Sequence, residues 1–491
     1  MYLFGLDVGT STVKSCVRTE EGDPVASSRR EYGLHHPKPG WSELYPDEVW
    51  GQIRAAIRDV VTRIDCREIR AISVAAIGHA IMPVDETGAW LSPLLPFYDT
   101  RGQTEAEHLH RLLGGETLLG VTGSSRVQQP LANMIWLRRH RPAVYGRTDK
   151  FIGLHEYLVW RLCGTPWIDY SLASCTSLFD LETGQWAPEI LDAVEVDRDL
   201  LPDVACAGTV VGEVTAEGAR ATGLARGTCV VVGTHDAHSS ALGTGIIDDG
   251  LWMEEAGTFE HICACSLQTR GRRLCGAINR TPPIPVVFSG FRTAGSILTW
   301  YKDTFAHREI AEATATGQDV YDLLTAKAAQ ARPGADGLLL LPTFHGGAAG
   351  GAVIGLTLHH GQNEFLRALL EGITYEVRVH FDALRAQGVT PREIRAVGGG
   401  AKSPFWLQLK ADVTQERITV PARQQVGTLG AAILAGIGVD AYRDAVDGVR
   451  RTYRGGAVYV PDEHVTGLYD RYYAVYQRLK ATLENVSYSP N

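Results

Sequence analysis

The sequence of 491 residues predicts an α/β fold built from two duplicated domains. Three observations carry this expectation. The chain is too long for one ordinary hydrophobic core, so two domains of about 200–250 residues come first to mind. Its opening runs strand, strand, strand, helix, strand, the order of a sheet covered by helices. A strand, Gly-Thr turn, strand unit near the N-terminus then returns in the second half. The division falls near the middle, at 1–245 and 246–491.

The elements follow in order. Tyr2 to Leu6 reads as a buried strand, Asp7 to Thr12 as a small polar turn, and Val13 to Arg18 as its antiparallel partner. Pro24 to Glu31 predicts a third strand. Pro46-Asp47-Glu48 opens a helix, with Pro in the first turn and acids where the helix dipole favours them. Val49, Ile53, Ala56, Ile57, Val60 and Val61 recur at helical spacing along it. Ile69 to Ile77 predicts a strand. The stretch from Leu118 to Pro202 is more helical, with Trp136, Tyr157 and Trp160 as core candidates. Cys229 to Gly233 is a buried strand carrying Thr234-His235-Asp236-Ala237-His238 at its C-terminal end, where ligands gather in α/β folds. Trp252 to Glu255, Ala256-Gly257-Thr258 and Phe259 to Ser266 repeat the opening hairpin. Glu364 to Gln387 predicts a long helix and Ile394 to Val397 a short strand. Helices are expected from near Ser403, over Gly427 to Gly436, and over Leu468 to Leu483.

Composition narrows the class. Hydrophobic residues make up 45% and charged residues 21%, the balance of a folded soluble protein. The net charge of −9 and the lack of a dominant basic cluster argue against nucleic acid as a partner. The densest basic runs, Arg138 to Arg141 and Arg270 to Arg273, read as solvated ends. Nine scattered cysteines without a C-x-x-C pair suit a reducing cytoplasm. Cys263 and Cys265, with His261 two residues before, read as a buried apolar pair rather than metal ligands. The N-terminus lacks the basic region of a signal peptide, and no apolar stretch is long enough to cross a bilayer. No membrane is expected as a partner.

Five constellations could carry chemistry. In Asp7-Val8-Gly9-Thr10-Ser11-Thr12-Val13-Lys14, bare backbone and hydroxyls can form an anion-binding nest. Lys14 adds charge, and Asp7 can hold Mg²⁺ beside a phosphate. An ordinary hairpin turn uses the same residue types. Ala256-Gly257-Thr258 is weak alone and informative beside the first, because two such turns can clamp a polyphosphate. Asp236 ends a buried strand, the place for a general base that takes a hydroxyl proton in phosphoryl transfer. A capping role is the alternative. Gly398-Gly399-Gly400-Ala401 lets a flat ligand or phosphate lie against bare backbone before a helix. Gly78-His79-Ala80, Tyr98-Asp99-Thr100-Arg101 and Trp41 supply the polar groups and flat face a sugar site needs. No P-loop pattern is present, so a nucleotide would need another device.

Together these stretches resemble the FGGY carbohydrate kinases of the actin-like and sugar-kinase superfamily, and xylulose kinases among them. The motifs "FGLDVGTSTVK", "GWSELYPDEVW", "YDTRG", "GTHDA", "AGTFE" and "GGGAKSPFWLQLKADV" come in the family order, from near residue 3 to beyond residue 430. The resemblance implies two duplicated actin-like (ribonuclease H-like) domains with an interdomain cleft, sugar on the N-terminal side and ATP with Mg²⁺ on the C-terminal side. It implies Asp236 as catalytic base and substrate contact, and Asp7 as the Mg²⁺ organiser. Thr10, Ser11 and Lys14 would lie along the phosphates, with Gly257 and Thr258 opposite. Gly399, Gly400 and Ala401 would border the adenosine, and His79, Asp99 and Arg101 the sugar. The sequence departs from xylulose kinases at Ala76 to Ala80, at His235 and at the second turn, all of which bear on substrate choice. The implied substrate is a ketopentose such as xylulose or ribulose, with a polyol such as erythritol or glycerol as the alternative. An actin-like ATPase switch without a sugar acceptor is the rival from another class, and a homodimer is compatible with the family.

Overall fold

The structure, a computed structural model, describes residues 1–265, 278–281, 284–344, 350–423 and 425–484. The chain forms two compact units. The first comprises Met1–Asp248, Cys265–Val287 and Gln425–Tyr453, and the second Asp249–Ala264, Phe288–Gln424 and Arg454–Asn491.

The first unit is organised by a six-stranded sheet. Its order is Val210–Glu213, Cys229–His235, Ile69–Ala76, Tyr2–Val8, Thr12–Arg18 and Pro24–Glu31. The strands Cys229–His235, Ile69–Ala76 and Tyr2–Val8 run parallel, and the flanking pairs are antiparallel. The sheet of the second unit repeats this plan in the order Gly455–Tyr459, Ile418–Pro421, Glu393–Gly398, Leu251–Ala256, Glu260–Cys265, with Ile284–Phe291 beyond. Its pairings match in direction: antiparallel, parallel, parallel, antiparallel. The duplication suggested by two Gly-Thr turns is thus a duplication of the sheet.

The core explains why these segments hold their form. Leu3, Phe4, Leu6 and Val8 are buried along the first strand, which is covered on both faces. Helix Pro46–Val61 seats Val49, Ile53, Ala56, Ile57 and Val60 against that sheet. Burying each such aliphatic side chain contributes roughly 1.5–3 kcal/mol. In the second unit, helix Gln362–Ala386 buries Leu366, Leu369, Leu370, Ile373 and Tyr375. Tyr469, Tyr473 and Tyr476 of helix Glu463–Glu484 join the same core.

Helix Val426–Gly438 lies on the first sheet although it follows the second unit's strands in sequence. A Cβ on Gly5 would stand 1.9 Å from the Thr428 carbonyl, so strand and helix backbones touch. Arg18 fixes the approach, donating from Nη2 to the Gln425 carbonyl at 3.3 Å and to Thr428 Oγ1 at 3.1 Å. The same helix packs on helix Asp236–Gly243 through Gly430, where a Cβ would lie 1.9 Å from the Ser239 carbonyl. Ser239 Oγ donates to the Gly427 carbonyl at 2.7 Å.

The strand before Asp236 differs from the sequence reading. The strand expected to end at Gly233 continues to His235, because Thr234 and His235 still pair with Ala75 and Ala76. Asp236 is therefore the first residue of helix Asp236–Gly243, directly after the strand. The basic run at Arg138 to Arg141 is the expected helix end, closing Gln129–His140 with Arg139, His140 and Arg141 exposed, while Arg138 Nη1 donates to the Val194 and Glu195 carbonyls. The run Arg270 to Arg273 and the strand end at Ser266 lie outside the described residues. Cys263 and Cys265 are buried as expected, and no group of three or more His, Cys, Asp or Glu side chains placed to hold a metal occurs among the described residues. No helix among them is long and apolar enough to cross a membrane.

Candidate active site

In the opening hairpin, Asp7 pairs across the strands with Lys14. Lys14 Nζ lies 3.2 Å from Asp7 Oδ2, with Asp7 nearly buried and Lys14 half exposed. A buried carboxylate whose counter-charge is a half-exposed lysine is a donor that a hard cation can take over. Asp7 also abuts the start of helix Val426–Gly438: a Cβ on Gly427 would stand 2.5 Å from Asp7 Oδ2. The positive end of the helix dipole favours a carboxylate there. Gly9 closes the turn by donating to the Thr12 carbonyl at 2.9 Å. A Cβ on Gly9 would meet nothing nearer than 3.6 Å, so packing does not require this glycine, and its bare backbone is open to a ligand. Thr10 and Ser11 stand beside it, Ser11 exposed.

Tyr32 links this turn to the next carboxylate. Its hydroxyl donates to the Gly9 carbonyl, and its backbone N–H donates to the Ser11 carbonyl at 3.0 Å. Burial, and then the charges of Asp7 and Asp236, push its phenol far above the ordinary range. Two carboxylates 229 positions apart in sequence therefore act on one hydroxyl.

Asp236 opens helix Asp236–Gly243, where its Oδ1 accepts from the Ala237 N–H at 2.7 Å. His235 Nε2 lies 3.1 Å from the same oxygen. The His235 ring rests on the bare Cα of Gly78, where a Cβ would come within 2.6 Å of its Cδ2. His79 holds a left-handed φ of 53° and meets His235 edge to face, 6.2 Å between ring centres. Burial, reinforced by His235, lowers His79 to about 3, so it stays neutral at physiological pH.

The strand end beneath Asp236 is pinned from behind. The His235 N–H donates to Ser171 Oγ at 2.9 Å, and Ser171 Oγ meets Thr234 Oγ1 at 2.7 Å and donates to Asp169 Oδ1 at 2.9 Å. Asp169 in turn caps helix Tyr170–Ser174, accepting from the N–H groups of Ser171 and Leu172. The Gly233 N–H donates to His155 Nε2 at 3.1 Å, and only glycine fits there, since a Cβ would lie 1.7 Å from the Val74 carbonyl. Sequence reasoning missed Tyr32, His155, Asp169 and Ser171. The Asp-Tyr-Ser stretch signals a helix cap, but nothing in the sequence connects it to Thr234.

Asp99 and Arg101 are brought together, chiefly with each other. Arg101 Nε and Nη2 donate to the two Asp99 oxygens at 2.8 Å each, and Nη2 reaches Glu43 Oε1 at 2.8 Å. Asp99 also accepts from the Ser42 N–H at 2.8 Å. The Asp99 side chain is 0% exposed and that of Arg101 3%. Asp99 is thus the anchor of Arg101, not the open hydroxyl acceptor its sequence position suggests. Arg101 lies 3.9 Å over the Trp41 ring, which meets Trp136 edge to face. Its Nη1 has no hydrogen-bond partner among the described residues and remains the donor this cluster can offer.

In the second unit, Gly257 and Thr258 form the tip between Leu251–Ala256 and Glu260–Cys265. Their carbonyls are turned into helix Gly295–Phe305, accepting from the Gly295 N–H at 3.0 Å and the Ser296 N–H at 3.2 Å. A Cβ on Gly257 would meet nothing nearer than 3.7 Å. Gly399 beside it is equally open, with 3.7 Å to the Ala256 carbonyl. Gly400 is closed, because a Cβ would stand 2.6 Å from Ala256 Cβ. Ala256 pairs with Gly398, so the tip at Gly257 and Thr258 and the open Gly399 follow neighbouring strand ends, with Gly400 buried and Ala401 next in the chain.

Comparison with known proteins bears on the family and the fold. Residues 2–243 match the family model for the FGGY carbohydrate kinase N-terminal domain, and residues 274–439 match that for the C-terminal domain. A gluconokinase of Bacillus subtilis is 30% identical over 99% of this chain and 96% of its own length. A xylulose kinase of Staphylococcus epidermidis is 29% identical over 97% and 96%. The crystal structure of xylulose kinase from Rhodospirillum rubrum superposes with a TM-score of 0.87 at 30% identity, covering 98% of this chain and 99% of that one. The fold is the duplicated actin-like one. With both halves of its sheet plan and both halves of its sequence matched, the chain belongs to the FGGY family of carbohydrate kinases and transfers phosphate to an alcohol group of a sugar.

Proposed function

We propose that this kinase uses ATP with Mg²⁺ in the cytoplasm to phosphorylate a hydroxyl of a neutral ketopentose, such as xylulose or ribulose. The observation that carries the reading is that the charges of Asp7, paired with Lys14, and of Asp236, at the start of its helix, both bear on the buried Tyr32 hydroxyl. In this reading Asp236 accepts the proton of the acceptor hydroxyl as that oxygen bonds to the γ-phosphorus and ADP departs. Asp7 would hold Mg²⁺, directly or through water, and the ion when bound would neutralise charge on the phosphates. Lys14, Thr10 and Ser11 would contact phosphate oxygens. Gly257 and Thr258 would do the same from the second unit, whose open Gly399, with Gly400 and Ala401, would border the adenosine. His79 would hydrogen-bond the sugar as a neutral imidazole, and Arg101 would donate from Nη1, held in place by Asp99.

A neutral substrate is favoured over a sugar acid by charge. His79 is neutral, Lys14 is matched by Asp7, and Arg101 is outnumbered by Asp99 and Glu43. A substrate carboxylate would meet no unbalanced cation among these groups. ADP release measured with D-xylulose, D-ribulose, D-gluconate, erythritol and glycerol tests the reading. A kcat/KM at least tenfold higher for a ketopentose supports it. Preference for gluconate or for a polyol overturns the substrate assignment.

A further inference from the structure

Resting on the reading of the first turn as a phosphate site, we infer that Tyr32 is a positioning residue that turns the peptide joining Gly9 to Thr10, so that its oxygen faces inward and its N–H faces the phosphates. The Tyr32 hydroxyl donates to the Gly9 carbonyl, and the Tyr32 backbone N–H donates to the Ser11 carbonyl at 3.0 Å. One residue thus ties down two carbonyls of the tip. In a trans peptide the oxygen and the N–H point in opposite directions. With the Gly9 oxygen held by Tyr32, the Thr10 N–H is directed away from it, and that N–H donates to no group among the described residues. Thr10 is half-buried beside the exposed Ser11. An oriented amide with no internal partner is what an anion-binding nest requires. Released from Tyr32, the same peptide could rotate and present its oxygen, which repels a phosphate.

The phenol suits this task. Its ring shares the buried core of the first unit with Val8 and Val13, the residues on either side of the turn. A carbonyl oxygen only accepts, so the phenol is the donor in this bond. Burial, and then the charges of Asp7 and Asp236, keep its proton in place far above the ordinary range. Tyr32 is therefore a fixed donor and not a proton shuttle.

The second hairpin does the same with other groups. Ala256 is the last paired residue there as Val8 is in the first, so Gly257 corresponds to Gly9. The Gly257 carbonyl accepts from the Gly295 N–H at 3.0 Å, and the Thr258 N–H donates to no group among the described residues. In both repeats the oxygen of a glycine-threonine peptide is bound from a neighbouring segment and its N–H is left over. In the first repeat the donor is a side-chain hydroxyl, which one substitution removes.

The test is steady-state kinetics with the sugar that serves best, varying ATP and sugar in turn. Tyr32→Phe keeps the ring and the backbone N–H and removes only the bond to Gly9. It should lower kcat/KM for ATP by about 10- to 100-fold, the effect of losing one hydrogen bond to a charged group. The KM for the sugar should stay within about twofold, because the loss is confined to the phosphate turn. The melting temperature should stay within about 5 °C of wild type. A kcat/KM for ATP like wild type, or a KM for the sugar that rises as much as that for ATP, overturns the inference. Lys14→Met separates the two levels. A near-normal kcat/KM for ATP in that variant removes the phosphates from this turn and the inference with them. A loss in Lys14→Met with a Tyr32→Phe like wild type removes only the role of Tyr32.

Discussion

The two hairpins share a backbone plan but stand on opposite chemistries. Counting back from each turn, Leu6 and Val13 of the first correspond to Glu254 and Glu260 of the second, and Asp7 and Lys14 correspond to Glu255 and His261. Under the first turn, Leu6 and Val13 are aliphatic and buried. Under the second, Glu254 is 1% exposed, Glu260 0%, and Lys410 of helix Pro404–Thr414 1%. Lys410 Nζ pairs with Glu254 Oε1. Two carboxylates and one ammonium cannot all be charged in a dry interior without leaving a net negative charge. Burial, and then the Glu254 charge, hold Glu260 well above the usual carboxylate range, so it is a carboxylic acid beside the Glu254 carboxylate. The difference teaches that duplication conserves the register of a hairpin, while the support beneath it is free to diverge.

The comparison can be broken in five ways. Lys410→Met strands a buried carboxylate pair and should destabilise the second unit by about 3–5 kcal/mol in urea unfolding. A loss under about 1 kcal/mol would mean the support is not the dry triad described. Asp7→Asn should lower kcat on the order of a hundredfold or more, while Glu255→Gln at the corresponding position stays within about twofold. Equal effects in turnover assays would erase the functional asymmetry of the hairpins. The triple variant Glu254→Leu, Glu260→Val, Lys410→Met gives the second hairpin the first one's kind of support. It should unfold within about 2 kcal/mol of wild type, far above Lys410→Met alone.

The fourth concerns pH. Glu260 keeps its proton when folded and loses it on unfolding above its ordinary 4.5, so the folded state binds the extra proton. Stability then falls as pH rises from about 4.5 toward the raised folded value. Glu260→Gln lacks this dependence, so its stability relative to wild type should improve between pH 5 and pH 8. A gap that does not change with pH would show that Glu260 is ionised. The smallest effect on folding should come from Gly9→Ala and Gly257→Ala, each within about 1 kcal/mol, because the added Cβ meets nothing nearer than 3.6 Å and 3.7 Å. Both should raise the KM for ATP. An unchanged KM would leave the open glycines without a ligand.

A second correspondence joins the repeats. Val8 pairs with Ala76 in the first sheet as Ala256 pairs with Gly398 in the second. The segment after Ala76, containing Gly78 and His79, is thus the counterpart of the segment containing Gly399 and Gly400. One position after one strand is given to the proposed sugar contact in the first unit and to the proposed nucleotide contact in the second.

Much of this was legible in the amino-acid order. Helix Pro46–Val61 was written in the spacing of Val49, Ile53 and Ile57, and strand Pro24–Glu31 in its bounding turns. The repeated Gly-Thr turn announced the duplication, and the motif order announced the family. These are local signals, set by hydrogen-bond geometry and by which faces are apolar. What tertiary structure alone decided are the meetings of distant residues. Their place in the sequence marks Asp99 and Arg101 as sugar contacts, yet their oxygens and nitrogens are largely satisfied by each other and by Glu43. Tyr32 gave no sign of its place beside Asp7 and Asp236, and the Glu254, Glu260, Lys410 triad cannot be seen from three separate letters. Helix Val426–Gly438 could be foreseen as a helix but not as a layer on the first sheet. A periodic pattern fixes which face of a segment is buried. Only the packed chain fixes what that face is buried against, and charge and proton positions depend on that partner.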